Sequence, residues 1–128
     1  MQIINTAANL MSLLDKFGYG FVDSATHAPI PESMADYKYK TLPPNVFFRI
    51  KVGVCWDYVL AAHYILRNRH PDDVIKCVFA DFGKDGTPTH TFLYFNTDGG
   101  WVWFEVAWWP MHGMNRRSEE RRVGKECR

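Results

Sequence analysis

The sequence predicts an α+β fold in which a helix that carries a cysteine packs on a small antiparallel sheet. Three observations support this fold class. Residues 57–69 place apolar side chains at helical spacing, and three later segments have the alternation typical of strands. The glycine-rich segment 97–100 lies between the last two of these segments and is typical of a hairpin turn.

The N-terminal third predicts one helix followed by irregular chain. Ala7, Leu10, Met11 and Leu14 recur at helical spacing, and two glycines soon after them end the helix. Residues 19–22 are a candidate short strand. Residues 23–45 hold four of the seven prolines and few periodic apolar residues, which predicts a long surface loop.

The central helix is predicted over 57–69, with Gly53 at its entry turn and Pro71 after its end. The three strand candidates that follow are 74–81, 89–96 and 101–108. Cys55 therefore lies at or just before the first helical turn. Free backbone N–H groups and the positive end of the helix dipole favour a thiolate there, and the same N–H groups can stabilise an oxyanion.

The hairpin register decides whether two polar residues can meet. If Asn96 pairs with Trp101, then Phe92 is opposite Glu105, and His90 and Glu105 become diagonal neighbours on one face. A shift of one residue would place them on opposite faces. Because a buried carboxylate is costly unless it is paired, a histidine partner would account for Glu105 within a run of aromatic residues.

Cys55, His90 and Glu105 are therefore the candidate nucleophile, base and orienting carboxylate of a thiol-based acyl transfer. Each has an alternative structural interpretation as a core or surface residue, and Cys77 is interpreted as a buried small hydrophobe of its strand. A zinc site built from Cys55, Cys77 and His90 is a second alternative, although closely spaced ligand pairs are missing. His112 is the reserve base, whereas the other histidines are assigned to structure or surface.

Composition and charge limit the partners and the cellular location that we expect. Lys and Arg (15) nearly balance Asp and Glu (14), which gives no indication of a nucleic-acid or membrane-surface partner. The start of the chain has no basic region typical of a secretory signal, and the apolar stretch 10–14 is too short to span a bilayer. Two cysteines before residue 117 do not form a disulfide framework, so we expect a reducing compartment and a cytoplasmic protein.

The last twelve residues, 117–128, resemble a translated sequencing adapter, and their composition differs sharply from the preceding chain. We therefore expect residues 1–116 to be a single domain, truncated at its C-terminal end, and 117–128 to be an artefactual tail. The alternative is a charged, solvated C-terminal helix.

Three blocks carry a family resemblance: Gly-Val-Cys-Trp-Asp at 53–57, Thr-His-Thr-Phe at 89–92 and Trp-Phe-Glu at 103–105. Together they resemble the transglutaminase-like superfamily, and more closely its small bacterial and phage-associated members, over roughly residues 50–112. The resemblance implies a papain-like core with Cys55 as nucleophile, His90 as base and acid, and Glu105 as orienter, where the larger family has Asp.

The implied activity is cleavage or transfer of a peptide or protein amide acyl group through a thioester, with hydrolysis favoured over crosslinking. The chain lacks the additional domains of the calcium-dependent enzymes, so neither calcium nor another cofactor is implied. Trp56, Trp103 and Trp108 are candidate walls of the substrate cleft, with core packing as the alternative. The competing function is a noncatalytic binding or scaffold module on the same fold, and the sequence does not indicate an oligomeric state.

Overall fold

The computed structural model describes residues 2–34, 38–80, 90–97, 99–107 and 123–124. The fold class is α+β, as predicted. Three α-helices in this part are α1 (Ile3–Leu14), α2 (Pro44–Ile50) and α3 (Cys55–Arg69), with a short 3-10 helix at Glu32–Met34. The strands are β1 (Gly18–Tyr19), β2 (Val52–Gly53), β3 (Ile75–Ala80), β4 (His90–Thr97), β5 (Gly100–Phe104) and β6 (Val123–Gly124).

Helix α1 confirms the first predicted helix. Its apolar side chains recur every three or four residues, so Ala7, Leu10 and Leu14 lie on one face and are buried in the core. Thr6 on the same helix bonds through its hydroxyl to Nε2 of His70, 2.7 Å away, at the C-terminal end of α3. This contact and the buried apolar face hold α1 against the cysteine-bearing helix.

The predicted surface loop over 23–45 is only partly correct. Helix α2 begins within it at Pro44, and Leu42 just before that helix is 2% exposed. Proline is well suited to the first turn of a helix, where its missing N–H would have no intrahelical partner. Tandem prolines therefore mark the start of a helix here, whereas the sequence interpretation took them as evidence for a loop.

Helix α3 packs on an antiparallel sheet with strand order β3-β4-β5-β6, as expected. The sheet contributes Leu93, Phe95, Val102 and Phe104 to the core, and all four are buried. Residues that alternate with them on β4 and β5 are more exposed. The helix contributes buried residues to the same core, namely Tyr58, Val59, Ala61, Ala62 and Leu66.

The hairpin between β4 and β5 has the register that the sequence analysis required. Asn96 pairs with Trp101, and the same register continues to the pair Leu93–Phe104. The turn is stabilised by Thr97, whose hydroxyl donates to the carbonyl oxygen of Gly100 at 2.9 Å. Strand β5 ends at Phe104, so Glu105 lies one residue beyond the described ladder and the predicted strand 101–108 is too long.

Cys77 differs from its prediction as a buried hydrophobe, because its side chain is exposed. It lies on β3, which is the edge strand of the described sheet and pairs with β4 alone. Residues 123–124 are the described part of the expected artefactual tail, and they pair with the end of β5. Among the described residues, no helix has both the length and the apolar character needed to cross a bilayer.

Candidate active site around Cys55

Cys55 is the first residue of the 15-residue helix α3. It is only 4% exposed. The chain reaches it through β2, which pairs in parallel with β1 so that Gly53 lies beside Tyr19. The predicted position of the cysteine at the start of the helix is therefore confirmed.

Gly53 is required by the close packing at this entry. A Cβ atom placed on Gly53 would lie 2.7 Å from both Cβ and Oδ2 of Asp57 and 2.9 Å from Cε1 of Phe47. Real Cβ contacts are essentially never shorter than 3.0 Å. The glycine of the Gly-Val-Cys-Trp-Asp block is thus explained by sterics, because only hydrogen fits between the helix start and α2.

Asp57 in the same block fastens the start of the helix. Its Oδ2 accepts a hydrogen bond from the backbone N–H of Val54 at 2.8 Å, which satisfies one of the donors that a helix N-terminus leaves without an intrahelical partner. Its Oδ1 accepts from the N–H of Leu42 at 2.8 Å and from the hydroxyl of Tyr39 at 3.0 Å. One carboxylate therefore ties the segment before α2 to the residue that precedes Cys55.

The electrostatics of this end of α3 are set by buried acidic groups. Burial raises the pKa of Asp57, and the hydrogen bonds from Leu42, Val54 and Tyr39 act against that rise. Burial, followed by the charge of Asp57, raises the pKa of the Tyr39 phenol well above its usual range. Tyr39 therefore donates to the carboxylate as a neutral phenol.

Tyr19 makes the direct contact with the candidate nucleophile. The backbone N–H of Cys55 donates to the Tyr19 hydroxyl oxygen, with 3.3 Å between the two heavy atoms. The Tyr19 ring lies beside the Tyr58 ring, with centroids 6.2 Å apart. One N–H group on which the predicted oxyanion site depends is therefore already bonded to a phenol.

Glu105 is the second candidate catalytic residue whose side-chain contacts the structure describes. It is 7% exposed and follows directly after β5. Its Oε1 accepts a hydrogen bond from the indole Nε1–H of Trp103 at 3.0 Å. Trp103, predicted as a cleft wall, thus holds the predicted orienting carboxylate.

The other predicted site residues are described to different extents. His90 is the first residue of β4 and pairs with Ala80, but its side chain lies outside the described residues. Trp56 is partly buried and packs against the core. Trp108 and the reserve base His112 lie outside the described residues. The described contacts therefore give the surroundings of Cys55 and of Glu105, and the role of His90 stays a prediction.

Among the described residues, no group of three or more His, Cys, Asp and Glu side chains is placed to hold a metal ion. The zinc alternative requires the His90 side chain, which is outside that part of the chain.

Sequence reasoning missed Asp57 and Tyr19. Asp57 could have been found, because an acidic residue three positions after the N-cap is a known signature of a helix start. Tyr19 carries no such local signal, since it is 36 residues away from Cys55 and reaches it only through the β1–β2 pairing.

Comparison with known proteins yields no match to a family model, to a curated protein or to a solved structure. The resemblance to the transglutaminase-like superfamily therefore depends on the three sequence blocks alone.

Proposed function

We propose that this protein is a transglutaminase-like cysteine enzyme that cleaves or transfers an amide acyl group through a thioester on Cys55, with hydrolysis favoured over crosslinking. The observation that carries the proposal is the position of Cys55 as the first residue of α3, where the positive end of the helix dipole favours the thiolate. A cysteine in the middle of the helix would lack this advantage.

The base and its orienter are assigned to His90 and Glu105. Support comes from the hairpin register, in which the pairs continue from Asn96–Trp101 to Leu93–Phe104. Continued by one pair, this register brings Phe92 opposite Glu105 and makes the backbone positions of His90 and Glu105 diagonal neighbours, which supports their pairing with each other. Both positions alternate with Leu93 and Phe104, which face the core, so the register by itself does not direct the pair toward α3. The hydrogen bond from Trp103 holds the carboxylate in a fixed position, as an orienting group requires.

The proposed reaction has two stages. His90 takes the proton of Cys55, the thiolate attacks the carbonyl carbon of an amide, and the negative charge moves from sulfur to the carbonyl oxygen. The C–N bond then breaks as His90 protonates the leaving amine, which leaves an acyl thioester on Cys55. Water, activated by His90, resolves the thioester and releases a carboxylic acid and the free thiol.

The proposal also includes a substrate class, a finer fold assignment and a cellular compartment. A peptide or protein amide is the proposed substrate, with Trp56 and Trp103 as candidate cleft walls. The finer fold assignment, a papain-like core, belongs to this proposal and is supported by the packing of α3 on an antiparallel sheet. Cys55 and Cys77 are both free thiols, which supports a reducing compartment such as the cytoplasm.

The test is direct detection of the acyl-enzyme. The full chain, with Cys77→Ser and Cys127→Ser to leave one thiol, is incubated with peptide amides and with peptide p-nitroanilides, quenched in acid and analysed by intact mass. We expect an acyl adduct that maps to Cys55 and release of the amine at a rate that Cys55→Ala abolishes. Amine release that is unchanged in Cys55→Ala, or the absence of any adduct across the substrate set, would move the assignment to the noncatalytic binding module.

A further inference from the structure

Strand β3 is an open edge of the sheet. In the part of the sheet that the structure describes, its only neighbouring strand is β4. The pairing with β4 is continuous over six residue pairs, without a bulge. The Cys77 side chain is exposed, and Val74 just before the strand is 48% exposed. The side of β3 that faces away from β4 is therefore a regular strand edge that another chain can reach.

The backbone groups of β3 divide between its two sides. The carbonyl oxygen of Val74 accepts from the N–H of Asn96 at 3.2 Å, and that of Val78 accepts from the hydroxyl of Thr91 at 2.9 Å, so both carbonyls point toward β4. The direction of these groups alternates along a strand. The N–H and C=O groups of Cys77 therefore point away from β4, as do those of the residues two positions before and after it. They are the donors and acceptors that an added strand requires.

The charged side chain of β3 does not cover this edge. Edge strands of natural proteins are often protected from further pairing by a lysine, a proline or a bulge. Lys76 is the one charged residue of β3, which also contains no proline. Its Nζ lies 5.4 Å from the ring centroid of Trp101, which belongs to β5 on the far side of β4. The lysine therefore extends across the sheet and away from the free edge.

Two copies of this edge fit each other in one antiparallel register. Outward groups must lie opposite outward groups, so odd-numbered residues pair with odd-numbered residues. With Cys77 opposite Cys77, the two strands overlap over positions 74–80, and Lys76 lies opposite Val78 of the second copy. A shift of two residues in either direction shortens the overlap, and one of these shifts also brings Lys76 opposite Lys76, where like charges repel.

We propose that this protein forms a symmetric dimer in which the β3 edges of two copies pair antiparallel, with Cys77 at the two-fold axis, and join the two sheets into one. A second copy suits the edge because this register satisfies the outward groups of both strands and opposes no like charges. The proposal is independent of the function of Cys55.

The test removes one outward N–H group from the proposed axis. Proline is tolerated in an edge strand where its missing N–H would have pointed away from the sheet, so Cys77→Pro keeps the bonds of β3 to β4 and blocks the added strand. Cys77→Ser is the matched control, because it replaces the same thiol and keeps the N–H group. The full chain and both variants are compared by sedimentation velocity up to millimolar concentration, with a thiol reductant present to exclude disulfide-linked dimers.

We expect the parent protein and Cys77→Ser to form dimers with similar dissociation constants. Cys77→Pro should raise the dissociation constant at least about tenfold, because each copy loses a hydrogen bond at the axis and the proline ring occupies the position of the opposing strand. Its circular dichroism should match that of the parent.

Three results would refute the proposal. The first is a parent protein that stays monomeric; if that monomer binds a synthetic peptide of residues 74–80, the edge accepts an extended peptide and not a second copy. The second is a dimer that Cys77→Pro leaves intact, since the interface would then lie elsewhere. The third is a dimer that forms only without reductant, which would be a disulfide product.

A charge pair tests the register if Cys77→Pro fails to fold. Cys77 is exposed, so Cys77→Lys and Cys77→Glu should both fold. Each variant alone opposes like charges at the axis, whereas a mixture of the two opposes unlike charges. The mixture should therefore contain more dimer than either variant alone, and equal dimer fractions would refute the pairing at Cys77.

Discussion

Substitution of Gly53 by alanine tests whether close packing at the start of α3 positions Cys55. The added methyl carbon would lie 2.7 Å from Cβ and Oδ2 of Asp57 and 2.9 Å from Cε1 of Phe47. Carbon atoms pack at about 3.5–4.0 Å. Asp57 or Phe47 must therefore move by roughly 0.8 Å, and both are fully buried.

The expected cost combines strain with lost hydrogen bonds. Overpacking a well-packed core costs about 1–3 kcal/mol. Displacement of Asp57 also weakens its bonds from Leu42 and Val54, each with a net value of about 0.5–1.5 kcal/mol. We expect Gly53→Ala to lower the free energy of unfolding by about 2–4 kcal/mol in total.

Urea unfolding followed by tryptophan fluorescence and far-UV circular dichroism measures this change. Gly20→Ala is the matched control, because a Cβ at Gly20 meets no atom within 4 Å, and its effect should stay within about 0.5 kcal/mol. Equal stability of the two variants would refute the claim that packing at Gly53 fixes the start of the helix.

Two further predictions concern the buried carboxylates. Burial raises the pKa of Asp57 above its unfolded value of 3.8, so the folded protein binds more protons between the two values and stability falls as pH rises through that interval. In urea unfolding, the cost of Asp57→Asn should therefore be largest at a pH near 3.8 and shrink as the pH rises above it, by at most about 1.4 kcal/mol per pH unit. A cost that grows with pH would contradict the direction of the shift. Trp103→Phe removes the donor to Glu105 and should cost about 1–3 kcal/mol. A double-mutant cycle with Glu105→Leu, which removes the acceptor oxygen, should show coupling of at least ~0.5 kcal/mol, whereas additive effects would show that the bond contributes nothing.

Much of the fold was predictable because its elements carry strong local patterns. Helix α3 has long apolar periodicity, and the hairpin register follows from a glycine-rich turn between two alternating segments. Helix α2 was missed because it is short, with only Phe47 fully buried, and its one clear signal is a proline at its start. The exposure of Cys77 was missed because a strand sequence does not reveal which strand lies at the edge of the sheet.

The candidate site was predictable only where its residues are close in sequence. The position of Cys55 follows from Gly53 before it and the helix after it. Its contact with Tyr19 depends on a parallel pairing of two-residue strands, for which the sequence has no recognisable pattern. The bond from Trp103 to Glu105 joins residues two apart, yet it was not predicted because the histidine appeared the more natural partner.

The most direct test of the proposed chemistry is the pH dependence of Cys55 alkylation by iodoacetamide. The parent protein is the full chain with Cys77→Ser and Cys127→Ser. In this background His90→Ala is the test variant, and His63→Ala, which changes a half-buried histidine of α3, is the matched control. An activated thiol–imidazole pair predicts rapid alkylation well below pH ~8.5, where a free cysteine ionises, with that reactivity lost in His90→Ala and kept in His63→Ala. Alkylation that follows an ordinary free thiol and is indifferent to His90 would contradict the assignment of Cys55 as an enzyme nucleophile.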